Sequence, residues 1–247
     1  MEFEYINHIK KLISLIEESE ADNINKSVHL LTQTILNKNS IYIFGASHAG
    51  ILSEELFYRA GGLMLVTPIF GRELMLDNSP ITLTSKMEQC VGYGSILASK
   101  VNFKPNDVLI VHSVSGRNPV TIEMAMVAKE KGVKIIGVSN LKYSKSVTSR
   151  HPSQKKLYDF CDIILDNHGD IGDACVSLEG LQQKVGPTST VIGATILNTI
   201  VSEIVKTLQN HGVKHPPIFY SANLDGGNEL NEQLVEQYKE SINYQFN

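Results

Sequence analysis

The chain is short of several things, and each shortage narrows its chemistry. Cysteine occurs three times in 247 residues, at Cys90, Cys161 and Cys175. No two of them form a C-x-x-C pair, so neither a zinc site nor a disulfide framework is expected. Cations do not outnumber anions: 22 Lys and Arg stand against 26 Asp and Glu, a formal charge of −4. No global field draws such a chain to nucleic acid or to an anionic membrane, so any anion site has to be built locally. A pure apolar run of membrane length is also lacking. The longest stretch, VIGATILNTIVSEIV at 191–205, is interrupted by Asn198, Ser202 and Glu203 and reads as a core helix. The opening MEFEYINHIKK is acidic and amphipathic, unlike a signal peptide, and the expected location is the cytoplasm. No repeat or low-complexity linker divides the sequence. It is read as one unit over 1–247, with helices in 1–38, a core in 40–210 and a C-terminal extension in 211–247.

What is present is an ordinary globular composition, 42% hydrophobic and 19% charged, long enough for a sizeable core. Tyr5, Ile9, Leu12, Ile13 and Ile16 recur at helical spacing, and Val28, Leu31, Ile35 and Leu36 do so again. Five short apolar runs follow: IYIFG (41–45), LMLVTPI (63–69), DVLIVH (107–112), VKIIGVS (133–139) and CDIILD (161–166). Near-continuous Val and Ile suit parallel strands covered on both faces. Helical patterns separate most of them, which predicts a doubly wound α/β sheet. One such helix carries Val120, Met124, Val127 and Ala128 and ends with Gly132 as its C′ residue. The stretch 86–101 reads as helix, 143–158 as a polar basic loop placed to cover a site, and helices are expected at about 187–209 and 229–242.

Two strands end unusually. IYIFGASHAG places Gly45 and Ser47 after the first run, with a helix from about His48 or Ala49, and DVLIVHSVSGRNP places Ser113, Ser115, Gly116 and Asn118 after the third, with Pro119 ready to open a helix. In open α/β sheets ligands bind at the carboxyl ends of strands where the strand order reverses. In a 2-1-3-4-5 order that point lies between strands 1 and 3. Helix N-termini favour phosphate there, glycines permit close approach, and serine hydroxyls add donors without charge. Each feature alone also has a plain reading: Asn118–Pro119 is an N-cap followed by Pro at N1, and Ser47 is a helix cap. Other motifs fit less well. Gly45-x-Ser47-x-x-Gly50 lacks the middle glycine of a dinucleotide fingerprint, and the second strand ends in Thr67 and Pro68 where a ribose-binding acid is needed. There is no P-loop lysine, and Gly45-Ala-Ser47-His48-Ala49 lacks the second glycine of a nucleophile elbow. His211 and His215 are spaced i, i+4, but Gly212 and Pro216–Pro217 break any metal-binding helix.

Three stretches together resemble a SIS (sugar isomerase) domain: FGASHAG, HSVSGRNPVTIEMAMVAKEKGVKIIGVSN, and VGPTSTVIGATILNTI. The likeness spans about 40–210, and the whole chain, including SEELFYRAGG and SANLDGGNE, is similar to an uncharacterised, phosphoheptose isomerase-like bacterial branch. The resemblance implies a flavodoxin-like five-stranded sheet, a sugar phosphate ligand, and homodimers or homotetramers with sites near subunit interfaces. It assigns phosphate binding to Ser47, Ser113 and Ser115. It places Asn118 where the family usually has Thr, and it brings Thr188, Ser189 and Thr190 near the ligand.

An aldose–ketose isomerase needs a base to move a proton between C1 and C2 and an acid to open or polarise the sugar. Glu55 is the first candidate base, matching the second Glu of an E-E-L on the corresponding helix of phosphoheptose isomerases. Its alternative is an ion pair with Arg59 at i+4. Glu88 is the second, with an exposed, inert carboxylate as its alternative. His48, beside the phosphate loop, is the candidate acid, ahead of His151. The catalytic His that the resemblance would place on the long C-terminal helix has no counterpart between Pro187 and Gln209. Arg150, Lys155 and Lys156 are candidates for a second anionic group or simply a solvated loop. Asp170, Asp173, Glu179 and Asp225 are acids without an assigned role. The expected function is a phosphosugar isomerase without metal or cofactor. A phosphosugar sensor and a phosphosugar lyase or etherase are the alternatives.

Overall fold

The computed structural model describes residues 2–246. Helices α1 (Glu4–Ser19) and α2 (Ala21–Leu36) lead into strand β1 (Ile41–Gly45), a 3-10 turn over Ser47–Gly50 and the short helix α3 (Ile51–Glu55). Then come β2 (Val66–Pro68), α4 (Thr82–Glu88), α5 (Tyr93–Ser99), β3 (Val108–His112), α6 (Pro119–Glu130), β4 (Lys134–Ser139), α7 (Leu141–Ser146) and β5 (Ile163–Asp166). A hairpin, β6 (Ala174–Val176) and β7 (Val185–Pro187), precedes the long α8 (Ser189–Asn210) and α9 (Gly227–Tyr238). The five main strands form one parallel sheet in the order β2-β1-β3-β4-β5. The alternating runs predict the doubly wound class, and the order is the flavodoxin-like one that the resemblance implies.

Successive strand residues point to opposite faces, and here each face has its own core. Ile41, Ile43, Val108, Ile110, Ile136 and Val138 pack under α1, α2 and α8. Tyr42, Phe44, Leu109, Val111 and Ile135 pack with Leu97, Val120, Met124 and Ala125 of α5 and α6. Burial on both sides is why the strands carry no polar alternation. Helix α8 has the length and hydropathy of a membrane span, but Ile192, Ile196, Leu197, Ile200 and Ile204 are core residues beneath the sheet.

Several boundaries differ from the sequence expectation, each for a tertiary reason. Of the run 63–69 only Val66–Pro68 joins the ladder; upstream, Leu63 bridges to Ile218, and the Met64 N–H donates to the Pro217 carbonyl at 2.8 Å. The expected helix over 86–101 is two helices, parted at Gly92 with φ +92°. The cause is the buried Glu123 carboxylate of α6, which accepts the Gly92 N–H at 2.6 Å and the Ser95 N–H at 3.2 Å. Helix α8 starts at Ser189 because Pro187 closes β7. Helix α9 runs 227–238 in place of 229–242. The loop expected over 143–158 is partly ordered as α7 and a turn at Leu157–Asp159. Gly132, with φ +79°, stands at C′ of α6 as expected.

Candidate functional site

Strands β1 and β3 are in register from Ile41 opposite Val108 to Gly45 opposite His112. They end level, so the two serine loops leave the sheet side by side at the switch point. After β1 the chain folds back sharply. A Cβ on Gly45 would lie 2.3 Å from the Ala49 carbonyl oxygen, so only glycine fits, and Ser47 takes a left-handed φ of +54°. The returning Ala49 carbonyl is met by Nδ1 of His112 at 3.0 Å. His112 is fully buried, and burial holds its pKa below the usual imidazole range, against the pull of the Ala49 bond and of Asp173. It is therefore neutral, with the proton on Nδ1. Its Nε2 has no partner among the described residues and lies over Gly193 of α8.

After β3, the Ser113 N–H extends the ladder to the Val138 carbonyl at 3.1 Å. Ser113 is buried and Ser115 half-buried. Gly116, at φ +58°, passes close to Leu157. Asn118 is the N-cap of α6 by position, yet its side chain makes no cap bond. Its Nδ2 donates to Oε2 of Glu88 at 2.6 Å and its Oδ1 accepts from Nη1 of Arg150 at 2.9 Å. Pro119, at N1, has no N–H to satisfy. The α6 N-terminus thus opens toward the crevice without a side-chain cap.

Glu88 joins the two loops. Thr84, buried on α4, donates to Oγ of Ser47 at 3.1 Å, and the Ser47 hydroxyl stands near the Glu88 carboxylate. Burial raises the Glu88 pKa, and the bond from Asn118, the nearby Ser47 hydroxyl and the charge of Arg150 offset part of that rise. The expectation of an exposed Glu88 is corrected: the carboxylate is half-buried and bonded. The break at Gly92, set by Glu123, ends α4's path before α5 begins across the start of α6.

The other sequence candidates fall elsewhere. Glu55 forms the ion pair with Arg59 and also accepts from Asn198 of α8 at 2.9 Å. Its neighbour Glu54 shares a small hollow with Ser47 and Phe70. His48 is exposed. His151 is buried, 3.6 Å from Glu123 and 2.7 Å from the Ser153 hydroxyl. Lys156 is not part of a solvated loop: it is buried and donates to the Ser144 carbonyl, while Lys155 lies over the Phe160 ring. Thr188 and Ser189 are buried, and Asp173 takes their donors. Its carboxylate accepts from the Ser189 N–H at 2.9 Å, the Ser189 hydroxyl at 2.7 Å and the Thr188 N–H at 3.2 Å. Thr190 is half-buried. Asp170 pairs with Lys184 at 2.9 Å, and Glu179 and Asp225 are exposed. His211 caps α8 and His215 lies beyond Gly212, off the helix. A cavity of about 370 Å³ beside β2, walled by Tyr42, Thr67, Phe70 and Lys100, includes none of the serine-loop residues.

Comparison with known proteins agrees with this arrangement. A SIS domain model matches residues 4–140, which takes in both serine loops, α4 and β4. A UPF0309 protein of Shouchella clausii is 48% identical over 98% of this chain and 98% of its own length. A UPF0309 protein of Geobacillus kaustophilus is 41% identical over 97% and 94%. Among solved structures, phosphoheptose isomerases from Francisella tularensis and Neisseria gonorrhoeae superpose with TM-scores of 0.56 and 0.54 at 12% identity. They cover 82% and 83% of this chain and 95% of each of theirs, a likeness of fold alone. With the 2-1-3-4-5 sheet, paired serine loops at its switch point and a family model over more than half its length, the chain belongs to the SIS domain family.

Proposed function

We propose that the crevice between the β1 and β3 loops binds the phosphate of a sugar phosphate, and that the chain is a sugar-phosphate aldose–ketose isomerase. Ser47, Ser113, Ser115 and the uncapped α6 N-terminus supply neutral donors and a helix dipole, the combination that holds a phosphate dianion. One observation favours an enzyme over a simple binding module. Glu88 sits between the two loops, bonded to Asn118 and near Ser47, with its pKa raised by burial. A carboxyl group tuned toward neutrality inside a ligand crevice is a proton-transfer group. Glu55 keeps a secondary candidacy, since its oxygens are shared with Arg59 and Asn198.

A homodimer or homotetramer fits the surface beside this crevice. Ile171, Leu178, Leu181 and Val185 around the β6–β7 hairpin are 42–58% exposed, and exposed apolar residues gathered in one region mark association sites. Light scattering after gel filtration tests the oligomer.

The binding reading is tested by thermal shift with a panel of sugar phosphates and their unphosphorylated parents, on the wild type and on Ser113→Ala/Ser115→Ala. A ligand of the native state raises the melting temperature. A phosphate-dependent rise absent from the double variant supports the site. Equal rises in both proteins overturn it. Proton NMR in D2O then separates the readings: exchange of the proton beside the sugar carbonyl marks an isomerase, and binding without exchange or conversion marks a sensor.

A further inference from the structure

Resting on the phosphate reading above, we infer that Glu88 is the resident anion of the serine crevice, and that a phosphate or sulfate dianion enters only as Glu88 takes up a proton. The geometry carries this. The Glu88 carboxylate accepts from Asn118 Nδ2 at 2.6 Å, and the Ser47 hydroxyl, bonded to Thr84, stands near it. These donors are also the ones the crevice would offer to a ligand anion, on the two loops that form its walls. Carboxylate and ligand compete for the same hydrogens, and whatever reaches them stands beside the carboxylate. Two anions in so close a space cannot both stay charged without one pKa rising strongly, as in paired carboxylates.

The groups around Glu88 leave the proton as the available relief. From the loop 147–156 the facing charge is Arg150, already spent on Asn118 at 2.9 Å. From α6, Glu123 is buried and engaged with Gly92, Ser95 and His151. The serine turn contributes His48 and α4 contributes Lys86, both exposed to solvent. Burial already raises the Glu88 pKa before any ligand arrives, the same direction in which a ligand anion would push it. Protonated Glu88 keeps one oxygen to accept from Asn118 and gains an O–H. In the occupied site it is then a donor aimed at ligand oxygen, the acid of the pair and not the base.

Sulfate tests this, because it stays a dianion across the range where Glu88 titrates. Its dissociation constant is measured by NMR titration from pH 5 to pH 8.5 on the wild type, Glu88→Gln, and Ser113→Ala/Ser115→Ala. In the wild type, affinity is expected to fall about tenfold per pH unit above the Glu88 titration, one proton per anion. In Glu88→Gln, which keeps the acceptor for Asn118, it is expected to stay at the tight, low-pH level throughout. A pH-independent wild type overturns the coupling. A slope that survives in Glu88→Gln also overturns it and assigns the proton to another group. Sulfate binding unchanged in the serine double variant, or no binding to the wild type, overturns the phosphate reading itself. Loss in the serine variant with a flat wild-type profile removes only the role of Glu88.

Discussion

Gly45 and His112 face each other across the last rung of the β1–β3 ladder, and together they hold the turn that carries Ser47. Gly45 clears space for the Ala49 carbonyl, and His112 donates to that same carbonyl at 3.0 Å. The geometry of the Ser47 turn therefore depends on two residues beneath it, neither of them on the turn's exposed side.

Gly45→Ala is expected to disrupt this turn. The added methyl would lie 2.3 Å from the Ala49 oxygen and 2.8 Å from the Gly50 nitrogen, both backbone atoms that no rotamer change can move. Overpacking of this kind costs about 1–3 kcal/mol or more. Urea unfolding should show that loss, and sulfate affinity should drop with it. Unchanged affinity in a folded variant would mean that the turn does not shape the site.

His112→Ala removes the bond to Ala49 and leaves a cavity in the core, with an expected cost of about 2–4 kcal/mol. His112→Asn retains an N–H near the Nδ1 position and should lose less. The pH dependence has a definite sign. The folded-state pKa is depressed by burial, so the native protein resists protonation while the unfolded chain takes a proton below about pH 6.5. Stability from His112 is full above that pH and is lost as pH falls toward the folded value. His112→Asn should flatten this part of the acid limb in thermal melts. An identical limb in both proteins would place the titration elsewhere.

Much of this was legible in the residues. The five apolar runs follow from periodicity, their order from the resemblance to SIS domains, and the serine loops at the switch point from the rule for ligand crevices in open sheets. What was not legible is long-range. Gly92 splits a continuous helical pattern because Glu123, 31 positions away, claims its N–H. Glu88 looks like a surface carboxylate until that break and the α6 N-cap bring it to Asn118, 30 positions on. The outer half of the 63–69 run leaves the ladder for residues 217–219, which no local window contains. His112 did leave a local signal: an ionisable side chain closing an otherwise apolar strand, one residue before a serine.

Asp173 is expected to anchor the start of α8. It takes a left-handed φ of +72° and caps the helix from 16 positions upstream, through the Ser189 N–H and hydroxyl and the Thr188 N–H. A carboxylate at a helix N-terminus gains from both hydrogen bonds and the dipole. Asp173→Ala should cost about 1–3 kcal/mol in urea unfolding, since buried donors on Thr188 and Ser189 lose their acceptor. If Thr188 and Ser189 serve a ligand anion, that variant should also bind sulfate more tightly, because the same donors are freed. A destabilised variant with unaltered sulfate affinity would restrict these residues to a structural role.

Glu88 should act on stability in the opposite sense from a paired surface acid. Its folded-state pKa is raised by burial, so the native state holds a proton that the unfolded chain has already released. Ionised Glu88 thus opposes folding. The effect is absent below about pH 4, where both states are protonated, and grows as pH rises until it is complete above the folded pKa. Glu88→Gln has the shape of the protonated acid and can still accept from Asn118. It should match the wild type near pH 4 and melt higher than the wild type at pH 8. Differential scanning calorimetry at several pH values gives the comparison. A variant that melts lower than the wild type at pH 8 would show that the bond from Asn118 and the nearby Ser47 and Arg150 outweigh burial, and that the carboxylate is a structural tie between the loops.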